Sequence, residues 1–338
     1  MASTSYERAS DDAAFAFARM WSEGEQRMRD VDVPEAVRLK AMFQGVEGRR
    51  WLAGLGRLIR ELERKWGVDV GPALGGGSES YVAAAETPGG EEAVVKLEMP
   101  PYGSFASEVR TLRAAEGHGY ARLLDLDEER HATLQERLGS SLRESGLPVP
   151  ARVEVLCATL RSAWEVPIPP GLQTGAEKAR WLSGFIAATW EDLGRPCSLP
   201  VVERALAFAE AREAAFDPAA SVLVHGDAHE ANALRVPELA RGRQARFKLV
   251  DPDGLLAEPA YDLGILMREW SGELLGGDAA GLGRERCAHL SRLTGVDSRA
   301  IWEWGFVERV STGLLATQVG ADQMGREILA VAEAYVRT

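Results

Sequence analysis

The eleven residues VHGDAHEANAL, Val224–Leu234, limit this chain more than any other stretch. They crowd two histidines, a carboxylate and an amide (His225, Asp227, His229, Asn232) into a run that lacks helical spacing of apolar residues. Soon after comes ARFKLVDPDGL, whose β-branched and aromatic residues read as the second arm of a short hairpin. The chain on either side of this pair reads as helix, so the fold has to hold one polar hairpin inside a helical body.

The front of the chain follows a different pattern. Residues 11 to 66 look helical throughout, and in RRWLAGLGRLIRELERKW the residues Leu52, Leu55, Ile59 and Leu62 recur at intervals of three and four, which puts them on one face. At Gly67 the pattern turns to strand, glycine turn, strand, Pro-Gly-Gly turn and strand in VDVGPALGGGSESYVAAAETPGGEEAVVKLEMP. FASEVRTLRAAEG then reads as a helix, and ARLLDLD and HATLQERL as two more strands. After Gly139, ARVEVLCATLRSAW, GAEKARWLSGFIAATWEDL, PVVERALAFAEAREAAF and the tail from Tyr261 read as helices. A small antiparallel sheet in front and a mainly helical rear suggest an α+β, two-lobed enzyme.

Composition excludes some partners. A formal charge of -12 argues against nucleic acid, whose binders concentrate Lys and Arg on one face, and it permits a cationic small molecule. No apolar run approaches the roughly 20 residues needed to cross a bilayer. The start, MASTSYERASDDAAFAF, lacks the basic and apolar regions of a signal peptide, so a cytoplasmic protein without a membrane partner is expected. Cys157, Cys197 and Cys287 are widely spaced and form no CxxC pair, and they read as buried thiols.

Two chemistries compete for the hairpin. On a strand His225, Asp227 and His229 alternate to one side, as in a zinc or iron site of a metallohydrolase. The other histidines, His118, His131 and His289, form no ligand-like cluster. In the second reading, an Asp followed five positions later by an Asn supplies a carboxylate for an attacking hydroxyl and a magnesium ligand, with a further metal-binding Asp downstream. Asn232 follows Asp227 by five positions, and Asp251 closes the apolar run of KLVDPDG.

HGDAHEAN together with LVDPDGLLAEPAYDL resembles the aminoglycoside phosphotransferase superfamily, and within it the streptomycin 6-kinase and hydroxyurea phosphotransferase group. The likeness runs from about Arg50 to about Arg268, with 150 to 220 contributing little, and the helix, glycine flap and lysine strand of the front half agree with it in order. It implies a protein-kinase-like fold: an N-terminal helical extension (1–66), a nucleotide-binding lobe (67–138) and a helical catalytic and acceptor-binding lobe (139–338). It also implies a kinase that uses ATP or GTP with Mg2+ to phosphorylate a hydroxyl of an antibiotic-like acceptor, an aminoglycoside or hydroxyurea.

By that resemblance Asp227 is the catalytic base, Asn232 and Asp251 are the magnesium ligands, and Lys96 of AVVKLE holds the α and β phosphates. Glu108 is the expected ion-pair partner of Lys96, with Glu116 as an alternative. GGGSESY departs from the protein-kinase GxGxxG, but Gly75, Gly76 and Gly77 allow the backbone close to phosphate, and the Ser78 and Ser80 hydroxyls can donate to it. Adenine is expected against backbone groups around Glu136 and Leu138. His225 is expected to bond backbone near the loop, and Asp262 to open a helix and brace the loop.

Glu230, Glu269, Trp270 and Glu273 are expected to offer carboxylates and an aromatic face to a cationic acceptor. Other readings are a metabolic kinase for a sugar, amino alcohol or nucleoside, and an inactive nucleotide-binding regulator, which the presence of Lys96, Asp227, Asn232 and Asp251 disfavours. Phe15, Phe17, Met20 and Trp21 suggest that the N-terminal segment docks on the body or on a second copy.

Overall fold

A computed structural model describes residues 31–75, 77, 79–237 and 246–337. The N-terminal run around Phe15 to Trp21 and the flap residues Gly76 and Ser78 lie outside the described residues. The chain forms two compact units: one comprises the described residues through Phe105 with Leu123–Arg137, the other Ala106–Arg122 with the chain from Leu138 onward.

The first unit is a helical hairpin on a sheet. Helices α1 (Glu35–Phe43) and α2 (Gly45–Trp66) precede strands β1 (Asp69–Ala73), β2 (Ser80–Glu86) and β3 (Glu92–Glu98). Strands β4 (Leu123–Asp127) and β5 (Ala132–Glu136) complete an antiparallel sheet of order β1-β2-β3-β5-β4. Pro72, which cannot donate to a ladder, lies in the edge strand β1. The apolar stripe read from the sequence is the buried side of α2: Leu52, Leu55, Ile59 and Leu62 pack with Tyr81, Ala83, Val95 and Leu97 of the sheet. Because side chains alternate along a strand, Val94, Lys96 and Glu98 occupy the other face of β3.

The second unit begins with most of α3 (Phe105–Ala115) and continues through α4 (Val149–Ala163), β6 (Gln173–Thr174), α5 (Gly175–Asp192) and α6 (Leu199–Ala214). Two small sheets follow. Strands β8 (Ala233–Arg235) and β9 (Phe247–Leu249) pair as the expected hairpin, while β7 (Val222–Val224) and β6 flank β10 (Leu255–Ala257). The helical tail, read as one stretch from the sequence, is divided into α7 (Ala260–Arg268), α8 (Ser271–Leu275), α9 (Ala279–Thr294), α10 (Ser298–Gln318) and α11 (Asp322–Val336). Helix α10 is the axis of this unit, burying Trp304, Phe306, Val307, Val310 and Leu314 and packing on α7, α11, α6 and α5. Its apolar residues run around the whole circumference, as expected for a helix enclosed by neighbours. None of the described helices is long and apolar enough to cross a membrane.

Candidate active site

The chemistry-bearing loop leaves β7 at Val224 and enters β8 at Ala233, and α7 holds its first residues in place. Asp262, in the first turn of α7 and fully buried, accepts the backbone N–H of His225 at 3.0 Å and of Gly226 at 2.9 Å. Its Oδ2 also accepts the indole N–H of Trp164 at 2.9 Å. Three donors thus converge on one enclosed carboxylate, which offsets the cost of burying it. Burial pushes its pKa up, against the pull of His225 and these N–H groups.

His225 is fully buried, stacked on Tyr120 with ring centroids 5.9 Å apart, and both of its nitrogens are engaged. Nδ1 accepts the backbone N–H of Asp227 at 3.1 Å, so the ring proton sits on Nε2, which donates to the Val250 carbonyl at 2.8 Å. The imidazole thereby ties the loop to the end of β9. At Gly226 φ is +94°, and a side-chain carbon there would lie 2.6 Å from Cβ of Asp253.

Asp227 presents its carboxylate beyond this brace. Oδ1 accepts from Arg268 Nη2 and Oδ2 lies 3.3 Å from His229 Nε2. His229 Nδ1 accepts the N–H of Ala231 at 3.2 Å, which places its proton toward Asp227. Burial works against the charge on Asp227, but the His229 hydrogen bond and the Arg268 guanidinium outweigh it and hold the carboxyl well below the usual carboxylate range. Its side chain remains about one-third exposed. Asp227 is therefore an anion, held in place but still reachable.

Asn232 and Asp251 sit at neighbouring ends of the β8–β9 ladder. Ala233 pairs with Leu249, and the N–H of Val250 donates to the Asn232 carbonyl at 2.9 Å. The Asn232 amide nitrogen donates to the Asp227 carbonyl at 3.1 Å, which turns the amide oxygen the other way. Asp251 follows in a left-handed conformation, φ 56°. An amide oxygen and a carboxylate are donors that suit a hard, oxygen-seeking cation such as Mg2+. A zinc or iron centre on His225, Asp227 and His229 does not fit, because three of the four imidazole nitrogens hold hydrogen bonds to backbone and the fourth faces Asp227. Among the described residues, no three His, Cys, Asp or Glu side chains are grouped to hold a metal by themselves.

The remaining expected residues are placed as follows. Lys96 lies on β3 between Val82 and Thr133 of the adjacent strands. Glu98, two residues on and buried, feels the Lys96 charge. Glu108 is buried in the first turn of α3, and Glu116 lies just past the end of that helix. Among the described residues, nothing lies within 4 Å of a notional side-chain carbon at Gly75 or Gly77. Ser80 opens β2, and the chain passes from one unit to the other between Arg137 and Leu138, just after Glu136 closes β5.

Of the expected acceptor residues, Glu230 needs correction. Glu230 is 6% exposed and accepts from Arg143 at 3.2 Å, Arg152 at 2.7 Å and the Trp270 indole at 3.2 Å. Glu269 pairs with Arg268 at 3.3 Å, and Glu273 with Arg286 at 2.6 Å, whose guanidinium lies over the Trp270 ring. Glu230 is thus taken up by its own arginines inside the fold, whereas Glu273 pairs with Arg286 through a side chain that stays 47% exposed.

Sequence reasoning missed Arg268 and Trp164, whose contacts come from distant helices. It also missed Asp253, the second acid of VDPDG, whose carboxylate lies 3.9 Å from Lys178 on α5. The doubled acid was the available signal; α5 lies in the stretch where the resemblance contributes little.

Comparison with known proteins identifies the family. A family model for "Aminoglycoside/hydroxyurea antibiotic resistance kinase" matches residues 65–320. A streptomycin 6-kinase from Streptomyces griseus is 31% identical over 87% of this chain and 93% of its own length. A hydroxyurea phosphotransferase from Kitasatospora aureofaciens is 32% identical over 81% of this chain and 80% of its own. Among solved structures, a choline kinase from Streptococcus pneumoniae superposes with TM-score 0.55 at 15% identity, covering 82% of this chain and 98% of that one, a likeness of fold. With a family match over most of its length and the loop braced as described, the chain belongs to the aminoglycoside/hydroxyurea antibiotic resistance kinases.

Proposed function

We propose that this protein transfers the γ-phosphate of ATP to a hydroxyl of a streptomycin-type aminoglycoside or of hydroxyurea, with Asp227 orienting the attacking hydroxyl. The observation that carries this reading is the loop itself: an ionised, reachable Asp227 whose carbonyl is tied to the Asn232 amide, with Asn232 and Asp251 flanking one ladder. Phosphoryl transfer asks little covalent chemistry of a protein and much positioning, and rigid bracing of a carboxylate suits that demand.

Asn232 and Asp251 would hold Mg2+, which when bound neutralises charge on the phosphate oxygens. Lys96 is assigned to the α and β phosphates and Glu108 to its support. Gly75 and Gly77, which carry no side chains, would let a phosphate approach their backbone closely. Asp227 accepts a hydrogen bond from the acceptor hydroxyl and so aims its oxygen lone pair at the phosphorus.

Asp227→Asn tests the reading, since it keeps the shape and removes the charge. Turnover is expected to fall by about 10²–10⁴-fold with ATP affinity largely kept. Unchanged turnover in that variant would remove Asp227 from the reaction.

A further inference from the structure

Helix α7 reaches the loop from both ends. Asp262 in its first turn takes the backbone of His225 and Gly226, and Arg268, its last residue, takes the carboxylate of Asp227. The Arg268 side chain is 13% exposed and anchored on three sides: Glu308 at 3.3 Å, Glu269 at 3.3 Å and the Thr312 hydroxyl at 3.4 Å. Glu308 is itself buried on α10 and accepts the Tyr261 hydroxyl at 2.5 Å. The guanidinium fork is thus fixed from behind before it meets Asp227.

We propose that Arg268 is a positioning residue for phosphoryl transfer, a fixed fork that sets the rotamer of Asp227 so that the carboxylate meets the acceptor hydroxyl in line. This rests on the kinase reading above. Arg268 binds one oxygen, Oδ1, and His229 faces the other, so the carboxylate plane is set by two contacts while each oxygen keeps a lone-pair direction for a ligand. The alternative of a bystander ion pair fits less well, because Arg268 has Glu308 and Glu269 as partners without Asp227. A planar fork can serve Asp227 and Glu308 together through separate nitrogens, Nη2 and Nη1, which a lysine ammonium cannot do with the same geometry.

The test is a kinetic double-mutant cycle on the full chain with ATP, Mg2+ and streptomycin. R268Q is expected to lower kcat by about 10²-fold, as a misplacement near 1 Å does, with both KM values held within about threefold. R268K is expected to restore part of that loss. In a D227N background R268Q should cost almost nothing further, because a residue acting through Asp227 has nothing left to position. Since R268Q strands the buried Glu308, R268Q/E308Q is measured alongside it with a thermal melt; a folded double variant with the same kcat deficit supports the assignment. Equal losses from R268Q in the presence and absence of Asp227, a loss confined to KM, or a gain in kcat would overturn it. Absence of transfer by the wild type to streptomycin, hydroxyurea or simple sugars would instead remove the kinase reading and this proposal together.

Discussion

At Gly226 the backbone runs through a conformation that costs any other L-residue strain, and the neighbouring Cβ of Asp253 leaves no room for a methyl group. Gly226→Ala should therefore lose about 2 kcal/mol or more of stability in urea titration, together with activity. A folded, fully active variant would show that the turn is not constrained. The importance of His225, Asp227 and Asn232 was legible because the loop compresses them into eight residues of sequence. The role of His225 as a bolt between loop and β9 was less legible, since its partner Val250 has only a backbone carbonyl to offer. Trp164 and Arg268 gave no signal at all: each reaches the loop from a helix far away in sequence, and such contacts leave no spacing to read.

At the scale of elements, α7 is a clamp whose first turn carries buried hydrogen bonds that nothing else can make. Asp262→Ala would strand the N–H groups of His225, Gly226 and Trp164, and is expected to cost about 3 kcal/mol or more in chemical denaturation. A cost near zero would mean the loop finds other partners. The β4–β5 turn offers a pH test of the sheet. Asp127 is buried, which raises its pKa, but Lys65 at 3.1 Å and Arg130 at 3.0 Å overcome that and hold it below the ordinary aspartate range. A depressed carboxyl contributes stability that is complete above its unfolded pKa of about 3.9 and disappears as pH falls through the lower folded value. Asp127→Asn should accordingly be less stable than wild type at pH 7, and the gap should close on acidification below about pH 4. A gap that does not change with pH would refute the pairing. The turn contact was invisible in the sequence, where Lys65 ends one helix and Asp127 one strand with about sixty residues between them.

For the whole molecule, periodicity carried most of the fold. The three-and-four spacing of Leu52, Leu55, Ile59 and Leu62 predicts the buried side of α2, and the glycine and Pro-Gly-Gly turns around YVAAAE and EAVVKLE predict the two strands that meet it. Leu55→Ala, at a fully packed position under the sheet, is expected to cost about 2–5 kcal/mol. Where the sequence pattern failed, tertiary packing had decided: the enclosed α10 carries apolar residues on every side, with Glu303, Glu308 and Arg309 buried among them, so its boundaries and its partners could not be read from a face. The same limit applies to Glu230, which reads as an exposed acid until Arg152 arrives from α4, whereas Glu273 keeps an exposed side chain beside Arg286 of α9. The most direct test of the account is to incubate the purified chain with γ-labelled ATP, Mg2+ and a panel of streptomycin, other aminoglycosides, hydroxyurea and simple sugars, in parallel with D227N. Label should appear on streptomycin or hydroxyurea with the wild type and stay on ATP with the variant; label on no acceptor, or equal labelling by both proteins, would contradict it.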